Sequence, residues 1–295
     1  LLDSGAFDPG DQDSGGRTAL HCGVASGAGV EVGSVASVVR VLLADGARIA
    51  VMDNNKESVE QFVGEMQETY SEKSILAVVG DVANEADCQV TVAQVVEYFG
   101  AVDGLINNAG IGVSSLRPDA ERKLPSIMEL TPDIWRRFFD INIHGAYLMT
   151  RAVVPNLMAQ GWGRIVNNTT SFFTMLRVLP YGASKAALES ASSVWAKEFE
   201  GSGITVNVLV PGGPTDTAFV GDESGIDRDK MIQPEQLAAP ARWLMSPDSD
   251  GVTGQRFIAA HWDQNLPDAE AASVAGSPIG WPELAAATVV WPSDD

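Results

Sequence analysis

Hydrophobic and polar positions along this chain follow two alternating rhythms. Short continuous apolar runs, bounded by Gly, Asp, Asn and Pro, are separated by longer segments whose apolar residues return every three or four positions. The first pattern suits strands covered on both faces, the second amphipathic helices. Arg17–Cys22 reads as a short strand. Beyond a Gly-containing stretch, Val32, Val35, Val39 and Leu42 fall at helical spacing. Asp45-Gly46 stops that helix and Ala47–Met52 reads as a second strand. Further strands are expected at Ser74–Val79, Val102–Ile106, Gly163–Asn167, Ile204–Val210 and, last, Arg256–Ala260. Helices are expected at Glu85–Phe99, from Thr131 (N-cap, with Pro132 at N1) to about Gln160, from Tyr181 onward, and at Pro234–Met245. Strand and helix in alternation imply an α/β fold: a single Rossmann-like, doubly wound parallel sheet with helices on both faces. Ligands of such sheets lie at the carboxyl ends of the strands.

Two features of the helices stand out. Asn142 is mildly unfavourable mid-helix and calls for a local backbone distortion or a water contact. Ala183, Ala187, Ser190 and Ala191 give the Tyr181 helix a small-residue stripe that would let it pack closely.

The chain divides into a flexible arm (residues 1–16, rich in Gly, Asp and Ser), a core domain (17–260) and an extension (261–295). The extension carries Trp262, Trp281 and Trp291, which are costly to leave in water, so it is expected to pack on something. It would either cover its own domain or reach a neighbouring subunit as a strap. The length of 295 residues is ample for one full core. The net charge of −20 repels phosphate backbones, so no nucleic-acid partner is expected. Cys22 and Cys88 make no disulfide framework, no Cys/His spacing suggests a metal, and His21, His144 and His261 read as structural. A reducing, cytoplasmic setting fits. The apolar segment from Val30 to Ala44 is broken by Glu31 and Arg40, so no membrane span is expected, nor is a secretory signal.

Candidate chemistry sits where the strands end. Gly23-Val-Ala-Ser26-Gly27-Ala28-Gly29 joins the first strand to its helix, and glycines there let backbone approach a pyrophosphate at the helix N-terminus. Asp53 closes the second strand, 24 residues after Gly29. A carboxylate there can accept both ribose hydroxyls of an adenosine and would repel a 2′-phosphate. Asn54 and Asn55 follow with no positive charge, so NAD is favoured over NADP. Tyr181 and Lys185, at i and i+4, share one helix face. The ammonium is expected to lower the tyrosine pKa, so that the phenol can trade a proton with a substrate hydroxyl.

With these motifs in order, residues 17 to 260 resemble short-chain dehydrogenases/reductases, of the kind typified by 3-oxoacyl carrier-protein reductases and hydroxysteroid dehydrogenases. The resemblance is carried by Gly23, Gly27 and Gly29 in Gly-x-x-x-Gly-x-Gly, Asp81, Asn107-Asn108-Ala109-Gly110, Asn142, and Tyr181 with Lys185. It implies an NAD(P)-dependent oxidoreductase moving a hydride between a nicotinamide cofactor and a secondary alcohol or its ketone. Tyr181 is then the general acid/base. Lys185 binds the nicotinamide ribose and depresses the tyrosine pKa, and Asn142 holds a water linking Lys185 to solvent. Thr170 supplies the hydroxyl that steadies the substrate oxygen, with Ser171 as the alternative. The resemblance also implies cofactor contacts from Ser26, Ala28, Asp81, Val82, Asn108, Ala109, Gly110, Pro211, Gly212 and Thr215, besides the glycines, Asp53, Tyr181 and Lys185. It implies a homo-oligomer, tetramer or dimer, pairing the helices that hold Asn142 and Tyr181. A non-catalytic NAD(H)-binding scaffold or sensor of the same fold is the alternative reading. An extended-type epimerase would carry Gly-x-x-Gly-x-x-Gly, unlike positions 23, 27 and 29.

The chain departs from the family pattern in three places. Asn168-Thr169-Thr170-Ser171 replaces the usual Ser-Ser, and Thr170 lies only 11 residues before Tyr181, a shortened loop. Cys22 replaces the Thr before the first Gly. Pro211-Gly-Gly-Pro-Thr215-Asp-Thr217 leaves Thr215 or Thr217 for the nicotinamide carboxamide. Residues 221–230 suit a mobile substrate loop, and Phe172, Phe173, Met175 and Leu176 are candidates for an apolar pocket or for core.

Overall fold

Eight strands form one sheet in the computed structural model, which describes residues 17–22 and 33–285. They are β1 (Thr18–Cys22), β2 (Arg48–Asp53), β3 (Ile75–Val79), β4 (Gly104–Asn107), β5 (Gly163–Asn168), β6 (Ile204–Val210), β7 (Gln255–Ile258) and β8 (Gly276–Pro278), in the order 3-2-1-4-5-6-7-8. The β1–β7 pairings are parallel. The helices are α1 (Gly33–Ala44), α2 (Lys56–Gln67), α3 (Glu85–Phe99), α4 (Pro132–Phe139), α5 (Gly145–Gln160), α6 (Phe172–Met175), α7 (Tyr181–Glu198), α8 (Ala238–Leu244), α9 (Asp268–Ala275) and α10 (Pro282–Ala285). The arm, the glycine turn with Gly23, Ser26, Gly27, Ala28 and Gly29, and Trp291 lie outside the described residues.

Successive strand residues feed two different cores, which is why the strands read as continuous apolar runs rather than alternating ones. From β2, Ile49 and Val51 join a cluster with residues of α1, α2, α8 and α9. Their neighbours Ala50 and Met52 join a second cluster, built with α3 and α5. Leu105 and Ile106 divide in the same way, as do Ile165 and Val166. From β1 the chain builds β2 and β3 on one side and then crosses to β4 on the other, so a crevice opens beyond the carboxyl ends of β1 and β4.

Thr131 caps α4 as expected, its hydroxyl accepting from Ile134 N at 3.3 Å, with Pro132 at the first position. The helix does not run unbroken to Gln160. Residues Asp140–His144 form a π-helical turn between α4 and α5, with Asn142 inside it. Of the two explanations for a mid-helix Asn, backbone distortion is the one found.

The strand at the end of the core domain is not the last. β7 stops at Ile258, residues 259–261 turn, and the extension returns to add β8 antiparallel to β7. Without β8, β7 would present an open row of peptide groups. Trp262 is buried against Trp243 and Phe257, α9 packs Ala271, Ala272 and Ala275 into the same core, and Ile279 packs with Val208 and Val210. The described part of the extension therefore covers its own domain.

The buried face of α7 also differs from the expected stripe. It consists of Gly182, Ser184, Lys185, Leu188, Glu189, Ser192 and Ala196, while Ala183, Ala187 and Ala191 are half-buried and Ser190 is exposed. Polar groups that find partners inside, rather than small size, decide which side of this helix turns inward.

Candidate active site

A cleft of about 840 Å³ lies along the carboxyl ends of the strands, lined from Asp53 past Asn108 and Gly110 to Thr170, Tyr181, Lys185, Pro211, Gly212 and Thr215. Asp53 ends β2, paired with Val79 of β3, and the residue is 3% exposed. Its Oδ1 accepts from Asn55 N at 2.7 Å. Burial pushes its pKa up to about 6, against the lowering effect of the Asn55 and Asn54 amides. Asp81 and Val82 follow β3. The Asp81 carboxylate accepts from Ala83 N at 2.9 Å, fixing the turn, and Val82 packs where only Gly145 of α5 leaves room. Asn108 Oδ1 accepts from Asn168 Nδ2 at 2.6 Å, tying the ends of β4 and β5, and Ala109 packs against the second core.

Tyr181, Lys185 and Asn142 come together, though they lie on different elements. Tyr181 opens α7, half-buried against Phe219 with ring centroids 5.7 Å apart. The Thr170 side chain lies beside its phenol, near enough to favour the ionised form. One turn on, Lys185 is buried and donates from Nζ to Asn168 O at 2.8 Å. The π-helical turn aims Asn142 at the residue after the Asn-Asn-Ala-Gly stretch. Its Oδ1 accepts from Ile111 N at 2.7 Å, and its Nδ2 donates to Ile111 O at 3.1 Å and to Ser184 Oγ at 2.9 Å. A Cβ on Gly110 would stand 3.0 Å from Asn142 Oδ1 and 3.4 Å from Lys185 Nζ, so this glycine lets backbone pass close to both.

The expected pKa depression of Tyr181 is reversed. Burial pushes the phenol up to about 12, opposed by the neighbouring Thr170 side chain, and pushes Lys185 down to about 8. Desolvation disfavours both charged forms, and no lowering of the phenol by Lys185 emerges beside it.

Thr170 rather than Ser171 meets the phenol. The Ser171 hydroxyl instead caps α6, accepting from Thr174 N at 3.2 Å and lying 3.0 Å from Thr174 Oγ1. Thr215 and Thr217 both line the cleft: Thr217 is buried and accepts from Phe219 N, and Thr215 is half-buried, paired through a bridge to Ile232. Of the apolar candidates, Phe173 lines the cleft. Phe172 stacks elsewhere, Met175 is core and Leu176 is 85% exposed. Residues 221–230 contribute Ile226 to the lining and are clasped by Arg228, which pairs with Asp216 and Asp222 and donates to Val220 O. Sequence reasoning missed Phe219 and the buried pair Glu189–Arg256. The second had a signal: an arginine in an otherwise apolar strand.

These residues suit a nicotinamide dinucleotide. The cleft runs from a buried carboxylate to the Tyr181–Lys185 pair, Gly110 and Gly212 (φ 111°) keep its walls low, and Asn168 Oδ1 is buried with no partner among the described residues. Among those residues no group of His, Cys, Asp and Glu could hold a metal ion, and no helix is long and apolar enough to cross a membrane.

Comparison with known proteins agrees with this geometry. The short chain dehydrogenase family model matches residues 17–225. A 2-(R)-hydroxypropyl-CoM dehydrogenase of Xanthobacter autotrophicus is 32% identical over 199 residues, 66% of this chain and 74% of the relative. A 3-ketoacyl-(acyl-carrier-protein) reductase from Brucella melitensis, solved with NADH, superposes with a TM-score of 0.66 at 27% identity, covering 82% of this chain and 95% of that one. A gluconate 5-dehydrogenase from Burkholderia cenocepacia, solved with NADP and tartrate, gives 0.68 at 25% identity, covering 82% and 93%. They support the oxidoreductase reading over the non-catalytic scaffold. The chain belongs to the short-chain dehydrogenase/reductase family, as an NAD(P)-dependent oxidoreductase acting between an alcohol and its carbonyl compound.

Proposed function

We propose that Tyr181 is the general acid/base of this enzyme and Thr170 the hydroxyl that steadies the substrate oxygen. The carrying observation is that Thr170, the Tyr181 phenol and a buried lysine line one cleft at the carboxyl ends of the strands. A bound nicotinamide supplies or accepts the hydride. In carbonyl reduction Tyr181 gives its proton to the substrate oxygen, and Thr170 donates to that oxygen as its charge grows. In alcohol oxidation the phenolate takes the proton back. A phenol held near 12 stays protonated at neutral pH, the form carbonyl reduction requires, whereas alcohol oxidation requires the phenolate and is favoured by alkaline pH. Lys185 would hold the nicotinamide ribose, and Asn142 keeps the loop after Gly110 in place through Ile111. Proton passage from Lys185 through a water at Asn142 is part of the proposal.

Along the rest of the cleft, Asp81, Val82, Asn108, Ala109, Gly110, Pro211, Gly212 and Thr215 would border the cofactor, as would the glycine turn. NAD is the proposed form, because the buried Asp53 carboxylate would accept ribose hydroxyls and repel a 2′-phosphate. The substrate is a small secondary alcohol or ketone with an apolar portion, which Leu124, Phe173, Val178, Phe219 and Ile226 would cover. A homo-oligomer, dimer or tetramer, would use the α5–α7 face, where Tyr147 and Val194 are exposed beside half-buried Ala187 and Ala191. A cytoplasmic location fits Cys88, a buried free thiol pushed up to about 12 by burial.

The test is a panel of alcohols and ketones with NAD(H) and NADP(H), followed by nicotinamide absorbance. Tyr181→Phe should abolish turnover and leave NADH binding intact. Equal turnover by wild type and Tyr181→Phe overturns the mechanism, and tighter binding of NADPH than NADH overturns the role of Asp53.

A further inference from the structure

Tyr181, Lys185 and Glu189 recur at intervals of four on α7, so they share its inward face. The first two face the cleft. Glu189 is fully buried one turn further on and has no place in the proton chemistry. Its Oε1 accepts from Arg256 Nε on β7 at 2.8 Å, and its Oε2 accepts from Thr169 Oγ1 at 2.8 Å. Arg256 is itself 3% exposed, and its Nη2 donates to Thr170 O at 2.9 Å. One ion pair therefore grips the Thr169–Thr170 segment twice, by a side chain and by a carbonyl. Outside it, the Phe172 ring lies 4.2 Å from the Arg256 guanidinium carbon, and Trp281 of the extension packs on Phe172 with centroids 6.0 Å apart.

A buried ion pair is a poor way to gain stability, since desolvation consumes most of the attraction. Its use here must be sought in what it holds. Thr170 lies at the mouth of β5, where the strand ladder ends and a short loop begins. We propose that Glu189 and Arg256 are positioning residues that fix Thr170 against the Tyr181 phenol, with Phe172 and Trp281 as the lid that keeps water from the pair. This rests on the role given to Thr170 above. It also gives the extension a part in catalysis: Trp281 shields the guanidinium that holds the Thr170 carbonyl.

The experiment compares Thr169→Val, Glu189→Gln, Trp281→Ala and Thr170→Val, in the full chain. Thr169→Val is the mildest, removing one hydrogen bond while keeping the ion pair and the side-chain shape. Two quantities are read for each variant: kcat and KM, and the pH dependence of kcat for alcohol oxidation. Removing a donor to the reacting oxygen costs about 100-fold, so Thr170→Val should lose about that in kcat. Thr169→Val and Glu189→Gln should lose about tenfold in kcat with cofactor KM unchanged, as expected of a small misplacement. Trp281→Ala should fall in the same direction. In each, the pH at which alcohol oxidation gains rate should move upward, because a displaced Thr170 no longer steadies the phenolate. A purely structural role would lower the melting temperature and leave both the pH profile and kcat of the folded fraction unchanged, and that result overturns the proposal. If Glu189→Gln does not fold, Thr169→Val and Trp281→Ala decide alone. If Thr170→Val itself turns over like wild type, the role of Thr170 fails. If only Thr170→Val is impaired, that role stands and the positioning proposal falls.

Discussion

Asp53 is predicted to be held at a cost to stability, and replacing it with Asn should reveal that cost. The residue is 3% exposed and its pKa is pushed from 3.8 to about 6. Between those values the folded chain binds more protons than the unfolded chain, so stability falls as pH rises through that window and levels off above it. The penalty follows from the two pKa values: about 1 kcal/mol at about pH 4.5 and about 3 kcal/mol at about pH 7.5. Asp53→Asn carries no charge, and its amide oxygen can still accept from Asn55 N. The variant should therefore unfold at higher urea than wild type at about pH 7.5, by close to the full penalty, with the gap closing to about a third of that at about pH 4.5. Equilibrium urea unfolding at the two pH values, with equal slopes, makes the measurement. Cofactor affinity should move the other way, NADH weakening about tenfold while the preference against NADPH narrows. A gap that does not change with pH refutes the desolvation argument. A variant less stable than wild type at the higher pH refutes it outright.

Three further outcomes test other parts of the reasoning. Gly182→Ala should lower the melting temperature by 10 °C or so, a cost of about 3 kcal/mol or less, because its Cβ would lie 2.3 Å from Thr174 O and 2.9 Å from Met175 Cα, both backbone; thermal unfolding checks it. Ser171→Ala should keep most activity and lose about 1 kcal/mol of stability, as expected of a lost N-cap, whereas Thr170→Val should lose turnover; steady-state kinetics beside urea unfolding separates the two. Burial holds Lys185 down at about 8 instead of 10.5, so this lysine makes stability rise with pH across that window, offset above pH 9.0 by Cys88, whose raised pKa acts the other way. Lys185→Met should lose that rise and bind NADH more weakly, as read by unfolding at alkaline pH and by fluorescence titration.

Much of this protein is written locally. Apolar runs between turn residues placed seven strands, and helical spacing between them made a parallel sheet with two covered faces the natural architecture. Thr131 before Pro132 marked a helix start because capping is a matter of three or four neighbouring residues. Asp53 could be found because the end of a strand is legible in sequence. An Asn inside a helix announced a distortion without saying that it would be a π-helical turn. What the sequence could not supply was partnership at a distance. Gly276-Ser277-Pro278 has neither alternation nor β-branched residues, and it is a strand only because the edge of β7 was there to be covered. The inward face of α7 followed the polar groups with which Lys185, Glu189 and Ser192 pair, not the stripe of alanines. Glu189 and Arg256 stand 67 residues apart, and only the folded sheet brings them to the Thr169–Thr170 segment. The sign of the Tyr181 shift was lost for the same reason. An i, i+4 lysine is visible in the sequence, but desolvation belongs to the surrounding packing, and in this cleft it outweighs the charge.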